Sequence, residues 1–304
     1  MRALAELVRA PAALSVPGDV LSGAAAAGAL RGGLRGGWRG GRGPAGLAAA
    51  SVCLYWAGMA LNDYADRRLD AVERPERPIP SGRVRPGTAL AVAAGLTGAG
   101  LALAGTAGGR RSLRAAVPLA AAVWAYDLLL KPTPAAAAAM ALCRGLDVLL
   151  GATAGGRGRW RAALPAACAI GAHTFAVTLL SRGEAAGATP RRVGLAAAAG
   201  APVVPLVLAE IAGRTGGTHR SRAAGRAVAA GLLGAYAAAV GGAQAAAVRE
   251  PSAERIRRAV GAGVLGLIPL QAALTAARGH PLAGLALVPA HPLARRLARK
   301  VSPT

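Results

Sequence analysis

The sequence predicts an all-α membrane protein, a single integral-membrane bundle of about nine transmembrane helices over residues 1–304, and three observations carry that expectation. Hydrophobic residues make up 54% of the chain and mean hydropathy is +0.42, while charged residues are only 16%, well below the roughly 25% of soluble domains. Apolar runs recur at about the twenty-residue length that crosses a bilayer. Arginines fall in short clusters between those runs, at 31–42, 67–85, 110–114, 157–161, 214–226, 249–258 and 295–300. A net charge of +23 would suit a nucleic-acid binder, but such a binder gathers its charge on one patch or helix. Here the charge punctuates apolar segments, as loops do in a multi-span protein, and nucleic acid is excluded as a partner.

The predicted spans are 11–30, 44–62, 87–108, 112–130, 134–154, 161–181, 193–213, 225–247 and 259–277. Each is rich in Ala and Gly, and the chain has one Phe; small residues suit membrane helices, where backbones approach closely. The stretch 281–294 is short, interrupted by Pro281, Pro289 and Pro292, and reads as interfacial. Cys53, Cys143 and Cys168 lie in apolar runs with no metal or disulfide spacing. Arg2 and Arg9 precede a stretch containing Pro17 and Asp19, so no short signal peptide stands out. Lys and Arg are nearly balanced between the two sets of loops, and charge does not decide orientation.

Only 13 residues are acidic, and five cluster between 63 and 76: Asp63, Asp66, Asp70, Glu73 and Glu76. Asp63, Asp66 and Asp70 recur at three- and four-residue spacing, which places them on one helix face, with Asn62 sharing the face of Asp66. Like charges stacked this way repel. They make sense around a divalent cation, and oxygen-only ligands suit magnesium, which binds through one or two carboxylates plus substrate phosphates. Arg67, Arg68, Arg74, Arg77, Arg83 and Arg85 interleave with the acids and offer bidentate contacts to phosphate. The Pro-rich run 74–84, with its Ser81-Gly82 turn, reads as an ordered, non-helical connector.

Asn62-Asp63-x-x-Asp66-x-x-x-Asp70, followed by Arg77-Pro78-Ile79-Pro80-Ser81-Gly82-Arg83, resembles the first aspartate-rich motif and adjoining loop of UbiA-type intramembrane prenyltransferases. The order of spans and loops is similar over nearly the whole chain. The resemblance implies Mg2+ held by Asn62, Asp63, Asp66 and Asp70 on the diphosphate of an isoprenoid donor. Tyr126-x-x-x-x-Lys131 is similar to a family segment whose lysine neutralises diphosphate. Asp66, Lys131 and Arg67 are thereby expected to act on the leaving group, and Tyr126 and Arg77 to contact substrate.

Within the predicted fifth span, Arg144 and Asp147 form an ionisable pair at i and i+3. Such residues in a membrane default to a functional reading facing the bundle interior; here that reading is substrate binding, and a self-neutralising ion pair is the alternative. Asp19 is a further candidate to line the cavity. His173 and Glu210 read as structural. Where the family carries a second aspartate-rich motif, this chain has Ser181-Arg182-Gly183-Glu184. Glu184 is expected to supply a metal ligand and Arg182 to bind phosphate; the run resembles the divergent EboC-like branch.

The implied activity is Mg2+-assisted ionisation of an isoprenoid diphosphate and prenyl transfer to a small, aromatic or lipid-soluble acceptor. The expected setting is lipid, a bacterial plasma membrane with the site facing the cytoplasm. Tyr55, Trp56, Tyr126 and Phe175 are the few aromatics available to shield an allylic cation. The alternative is an altered-function protein that binds or transports lipid diphosphates on the same fold. A secondary transporter would show an inverted repeat, and none is visible.

Overall fold

The computed structural model describes residues 2–9, 13, 15–30, 43–184, 187–213, 219–290 and 292. Helices account for nearly all of the order, and no strand occurs among the described residues. The arginine clusters predicted at 31–42 and 295–300 lie outside them, as does part of the 214–226 cluster.

A short helix, α1 (Arg2–Leu7), leads to α2 (Pro17–Ala26), α3 (Pro44–Ala65), α4 (Arg67–Glu73), α5 (Pro86–Ala125) and a π-helical turn, Tyr126–Leu130. Next come α6 (Ala136–Ala152), α7 (Leu164–Ser181), α8 (Pro190–Gly200), α9 (Val203–Ala212), α10 (His219–Tyr236), α11 (Gly242–Arg249), α12 (Ala253–Ala277) and α13 (Pro281–Leu287). Among the described residues, seven helical stretches are long and apolar enough to cross a membrane, one of them Pro86–Leu130 with 45 residues. That stretch bends at Gly109, whose φ of 65° and ψ of −154° leave the helical region; a glycine tolerates that φ without steric cost. Its two arms correspond to the predicted spans 87–108 and 112–130.

Two predicted spans differ in form. The first, at 11–30, holds a ten-residue α-helix among its described residues, about 15 Å of rise, half the hydrocarbon thickness. Pro17 starts that helix and Gly28, with φ of 74°, follows its end. The span predicted at 193–213 is two helices, α8 and α9, parted at Ala201 and Pro202.

Bulky apolar packing gives no net gain between helices already surrounded by lipid tails, so close approach by small residues takes its place. On α6 and the turn after it, Gly151 and Gly155 stand four apart. A Cβ on Gly151 would strike the Val20 backbone, and one on Gly155 the Ala27 backbone. From α2, Gly23 returns the contact against the Val148 carbonyl. The short α2 is thus seated on α6 through backbone contact. Around this seam the core is Ala, Val and Leu from α2, α6, α7 and α12, with a second cluster between α3, α5 and α6.

Two of the polar groups inside the bundle are paired across helices. His173 is buried; its Nδ1 lies 2.9 Å from the Tyr236 hydroxyl and its Nε2 3.1 Å from the Gly263 carbonyl. Glu210 forms an ion pair with Arg278. The three cysteines are free.

Candidate functional site

The acidic run begins on the last turn of α3. Helical geometry stops at Ala65, Asp66 caps the end, and α4 restarts at Arg67. The connector that follows is ordered, as its sequence suggests. Val84 N–H donates to the Pro78 carbonyl at 2.8 Å, Ser81 Oγ donates to the Arg77 carbonyl at 2.6 Å, and Gly82 takes the positive φ of 73° that the turn requires. Arg83 ties the connector to α1 through Glu6 at 2.5 Å.

The three aspartates of this run are met by the protein's own cations. Arg77 Nη1 donates to Asp70 Oδ2 at 2.6 Å and lies 3.6 Å from Asp63 Oδ1. Asp63 Oδ1 also accepts from Arg9 Nη2 at 3.1 Å, and Arg9 holds a left-handed backbone, φ 45°. Asp66 is paired with Lys131. Asn62 Nδ2 donates to Asp127 Oδ1 at 3.1 Å, and Asp127 lies within the electrostatic reach of Lys131, Asp66 and Arg9.

This arrangement divides the predicted metal set. Asp63 and Asp70 are held by Arg77 on one side. On the other, Asn62 and Asp66 meet Asp127 and Lys131, both presented by the π-helical turn Tyr126–Leu130 and the residue after it. No three Asp, Glu, His or Cys side chains gather into a metal-binding group among the described residues. Of the expected set Asn62, Asp63, Asp66, Asp70 and Glu184, Asp63 and Asp70 share Arg77, Asn62 and Asp66 contact Asp127 and Lys131, and Glu184 meets Arg257 through its carbonyl. The subset Asn62, Asp66 and Asp127 offers hard oxygen donors only, beside a carboxylate already matched by a cation, and that chemistry fits magnesium.

Below this rim lies a cavity of about 280 Å³. Asn62, Asp127, Tyr126 and Arg9 line its outer end. Leu54, Met59, Leu119, Val123 and Met140 line its middle, and Ser51, Arg144 and Asp147 its inner end. On α3 the lining residues Ser51, Leu54, Tyr55, Gly58, Met59 and Asn62 recur at helical spacing, so the cavity follows one helix face.

The remaining predicted residues fall as follows. Arg67 does not reach the cavity: its guanidinium stacks 4.3 Å from the Tyr64 ring centroid and donates to the Tyr64 carbonyl at 2.7 Å. Arg182 donates to the Thr133 carbonyl, just past Lys131. Glu184 lies outside the cavity lining; Arg257 donates to its backbone carbonyl at 2.9 Å. Burial raises the Glu184 carboxyl pKa, while Arg257 and Arg74 pull it back down. Arg144 does not pair with Asp147. It lies 2.9 Å from Asp19 on α2, and Asp147 instead accepts from Ser51 Oγ at 2.7 Å. Asp19 sits fully buried behind the lining. Tyr55 and Tyr126 line the cavity, whereas Trp56 and Phe175 do not.

Asp127 is the residue that sequence reasoning passed over as a site member. It was visible only as one letter inside the Tyr126–Lys131 segment. The signal that singles it out is an acid in an otherwise apolar helix end, a position costly enough to imply a role.

Comparison with known proteins agrees with this architecture. The model of the UbiA prenyltransferase family matches residues 20–249. A curated relative, the digeranylgeranylglyceryl phosphate synthase of Methanopyrus kandleri, is 43% identical over 88 residues, which are 29% of this chain and 31% of that protein. The matches span about a third or less of the curated relatives. A solved structure described as that of a digeranylgeranylglyceryl phosphate synthase in membranes superposes with a TM-score of 0.67 at 16% identity, over 92% of this chain and 98% of that one. The apo structure of a homologue from Aeropyrum pernix K1 gives 0.64 at 19% identity, over 86% and 96%.

Proposed function

The chain belongs to the UbiA prenyltransferase family, and on that premise we propose that it transfers a prenyl group from an isoprenoid diphosphate to a small acceptor inside the membrane. The observation that carries this reading is the contact of Asn62 with Asp127, which line one end of a largely apolar cavity, next to the Asp66–Lys131 pair just outside its lining. The rim takes the diphosphate and the apolar middle takes the first part of the prenyl chain.

Lys131 hydrogen-bonds the diphosphate and stabilises the charge that develops as the C1–O bond breaks, while Arg182 and Arg9 add positive charge at the edge of the mouth. Preformed charge aimed at a developing anion in a dry site is the strongest lever such a reaction has. Asn62, Asp66 and Asp127 would hold Mg2+, which when bound supplies further neutralisation of the leaving diphosphate. Arg77, with Asp63 and Asp70, keeps the end of α3 in place. Tyr126 and Tyr55 offer ring faces to the allylic cation. The curated relatives are named for making digeranylgeranylglyceryl phosphate, and a hydroxyl is accordingly the acceptor group proposed here. The mouth faces the cytoplasm in this reading.

The test uses the full chain in lipid nanodiscs with labelled geranylgeranyl or farnesyl diphosphate, Mg2+ and a cell extract as acceptor source. Diphosphate release by the wild type that disappears in Asp66→Ala supports the transferase. Tight binding of both donors with no release under any condition overturns it in favour of a lipid-diphosphate binder.

A further inference from the structure

The two ends of the bundle differ in charge. Each arm of α5 spans the molecule. Residues 86–108 lead from the connector beside the site to the bend at Gly109, about 33 Å away at 1.5 Å per residue, and 112–130 return to Lys131. The end at the bend is knit from several turns. Gly43 N–H donates to the Ala107 carbonyl at 3.0 Å, Ser112 Oγ lies 2.6 Å from Thr153 Oγ1, and Arg278 Nη2 donates to the Ala162 carbonyl at 2.8 Å. Lys and Arg are shared almost evenly between the two ends, so the difference lies in the acids. No Asp or Glu occurs in 20–62, 77–126 or 148–183. Asp19 and Asp147 are buried within the bundle. Of the 13 acidic residues, Glu210 alone stands at the far end, and it is taken by Arg278.

The arginines beside the bend have no such counter-charge. Arg110, Arg111 and Arg114 flank Ser112, while Arg157 and Arg159 follow Thr153 through a turn with positive φ at Gly156 and Gly158. All five are exposed and have no ion pair or side-chain hydrogen bond among the described residues. Arg161, also exposed, rests 5.6 Å from the Trp160 ring centroid. At the mouth end, by contrast, Arg258 meets Glu254 at 2.5 Å, Arg83 meets Glu6 at 2.5 Å and Arg255 lies 3.4 Å from Glu250.

Like charges gathered this closely repel unless counter-charge comes from outside. Val117 and Leu164 stand three residues inward of Arg114 and Arg161, about one helical turn, and are 52% and 39% exposed. Apolar side chains exposed at that depth face hydrocarbon. Trp160, 44% exposed, takes the interfacial level that aromatic rings favour. The guanidiniums therefore sit one turn outside the hydrocarbon, at the depth of lipid phosphates. An arginine fork matches a phosphate in bidentate fashion, and basic clusters next to spanning helices attract anionic lipid. A soluble polyanion would gain nothing from the apolar residues just inward.

We infer that the end of the bundle opposite the diphosphate mouth is a docking surface for anionic phospholipid headgroups. Arg110, Arg111 and Arg114 from the bend hold their phosphates together with Arg157, Arg159 and Arg161 from the adjoining turn. The lipid belongs to the surrounding bilayer and is neither donor nor acceptor, so the surface does not depend on the transferase reading.

The test offers the full chain an equimolar mixture of dioleoyl phosphatidylglycerol and dioleoyl phosphatidylcholine, which differ in headgroup alone, and counts the lipids retained by native mass spectrometry. The wild type is expected to favour phosphatidylglycerol by about tenfold or more, since two arginine–headgroup contacts already correspond to that factor. Replacing the six far-end arginines by Gln is expected to bring retention to near parity. Replacing six exposed arginines of the mouth end by Gln (Arg68, Arg85, Arg191, Arg192, Arg249 and Arg258) is expected to leave most of the preference. Equal retention of the two lipids by the wild type, or a loss as large in the mouth-end variant, overturns the surface. Release of the bound phosphatidylglycerol by excess inorganic phosphate also overturns it, in favour of a soluble-anion site. Where the far-end variant does not fold, the triple change Arg110→Gln, Arg111→Gln and Arg114→Gln replaces it, and an unchanged preference there is equally fatal.

Discussion

Replacing Lys131 by Met removes the cation from the cavity mouth while keeping an unbranched side chain of similar length. In the free protein the Lys131–Asp66 pair is partly open to water, with side chains 29% and 21% exposed. Pairs of that kind contribute only about 0–1 kcal/mol to stability, so the variant is expected to fold and melt close to the wild type. The effect on the donor is larger. One charge-assisted hydrogen bond to the diphosphate is lost, worth about 1.5–3 kcal/mol. Asp66 is also left with an uncancelled charge facing the incoming anion. At about 1.4 kcal/mol per factor of ten, the loss corresponds to a ten- to hundredfold fall in kcat/KM. The assay is diphosphate release from labelled geranylgeranyl diphosphate in nanodiscs, with a melting curve on the same preparation. A fall of less than about threefold in a variant that melts normally would refute the placement of Lys131 on the leaving group.

The seam between α2 and α6 and the His173 pair predict stability rather than turnover. Gly151→Val puts a side chain into the Val20 backbone, which cannot yield as a side chain would, and is expected to cost about 1–3 kcal/mol or more; an unchanged melting temperature in detergent would contradict the backbone contact. Tyr236→Phe removes the hydroxyl that meets His173 Nδ1 and should cost about 0.6–2 kcal/mol, the range for interhelical hydrogen bonds in lipid. The same measurement in a His173→Leu background isolates the pair, since the hydroxyl then has nothing to lose.

Much of the fold was legible because the bilayer imposes a length. Apolar runs near twenty residues, with arginines between them, located most of the helices to within a few residues, and the arginine cluster at 110–114 marked the break between two of them. The first span was overestimated because hydropathy counts Ala and Gly as apolar whether or not Pro17 and Gly28 bound the helix. Pairings across the bundle were not legible. Arg144 and Asp147 sit at i and i+3, and that spacing suggested a pair. The nearer carboxylate in space belongs to Asp19, 125 positions earlier, and nothing in the linear pattern joins them. Asp127 escaped for a related reason: a single acid has no spacing to read. Its meaning comes from Asn62, which reaches it from another helix.

Stacked carboxylates need cations, and the sequence reading supplied them from outside as metal. The fold supplies several from within. Asp70 and Asp63 meet Arg77, and Asp63 also meets Arg9. A guanidinium is a rigid planar fork, so its contacts are specific and slow to exchange for others. Those pairs are fasteners for the break between α3 and α4. Asp66 alone is matched by an ammonium, a compact charge on a flexible four-carbon stem that swaps partners with little reorganisation. It is also the pair at the cavity mouth, beside Asn62 and Asp127. Under the transferase reading proposed above, an incoming diphosphate would draw Lys131 from Asp66 and leave that carboxylate for a divalent cation, an exchange to which the planar Arg77 fork is less suited. Among Asp63, Asp66 and Asp70, that reading puts the chemistry on Asp66, whose counter-charge is the ammonium.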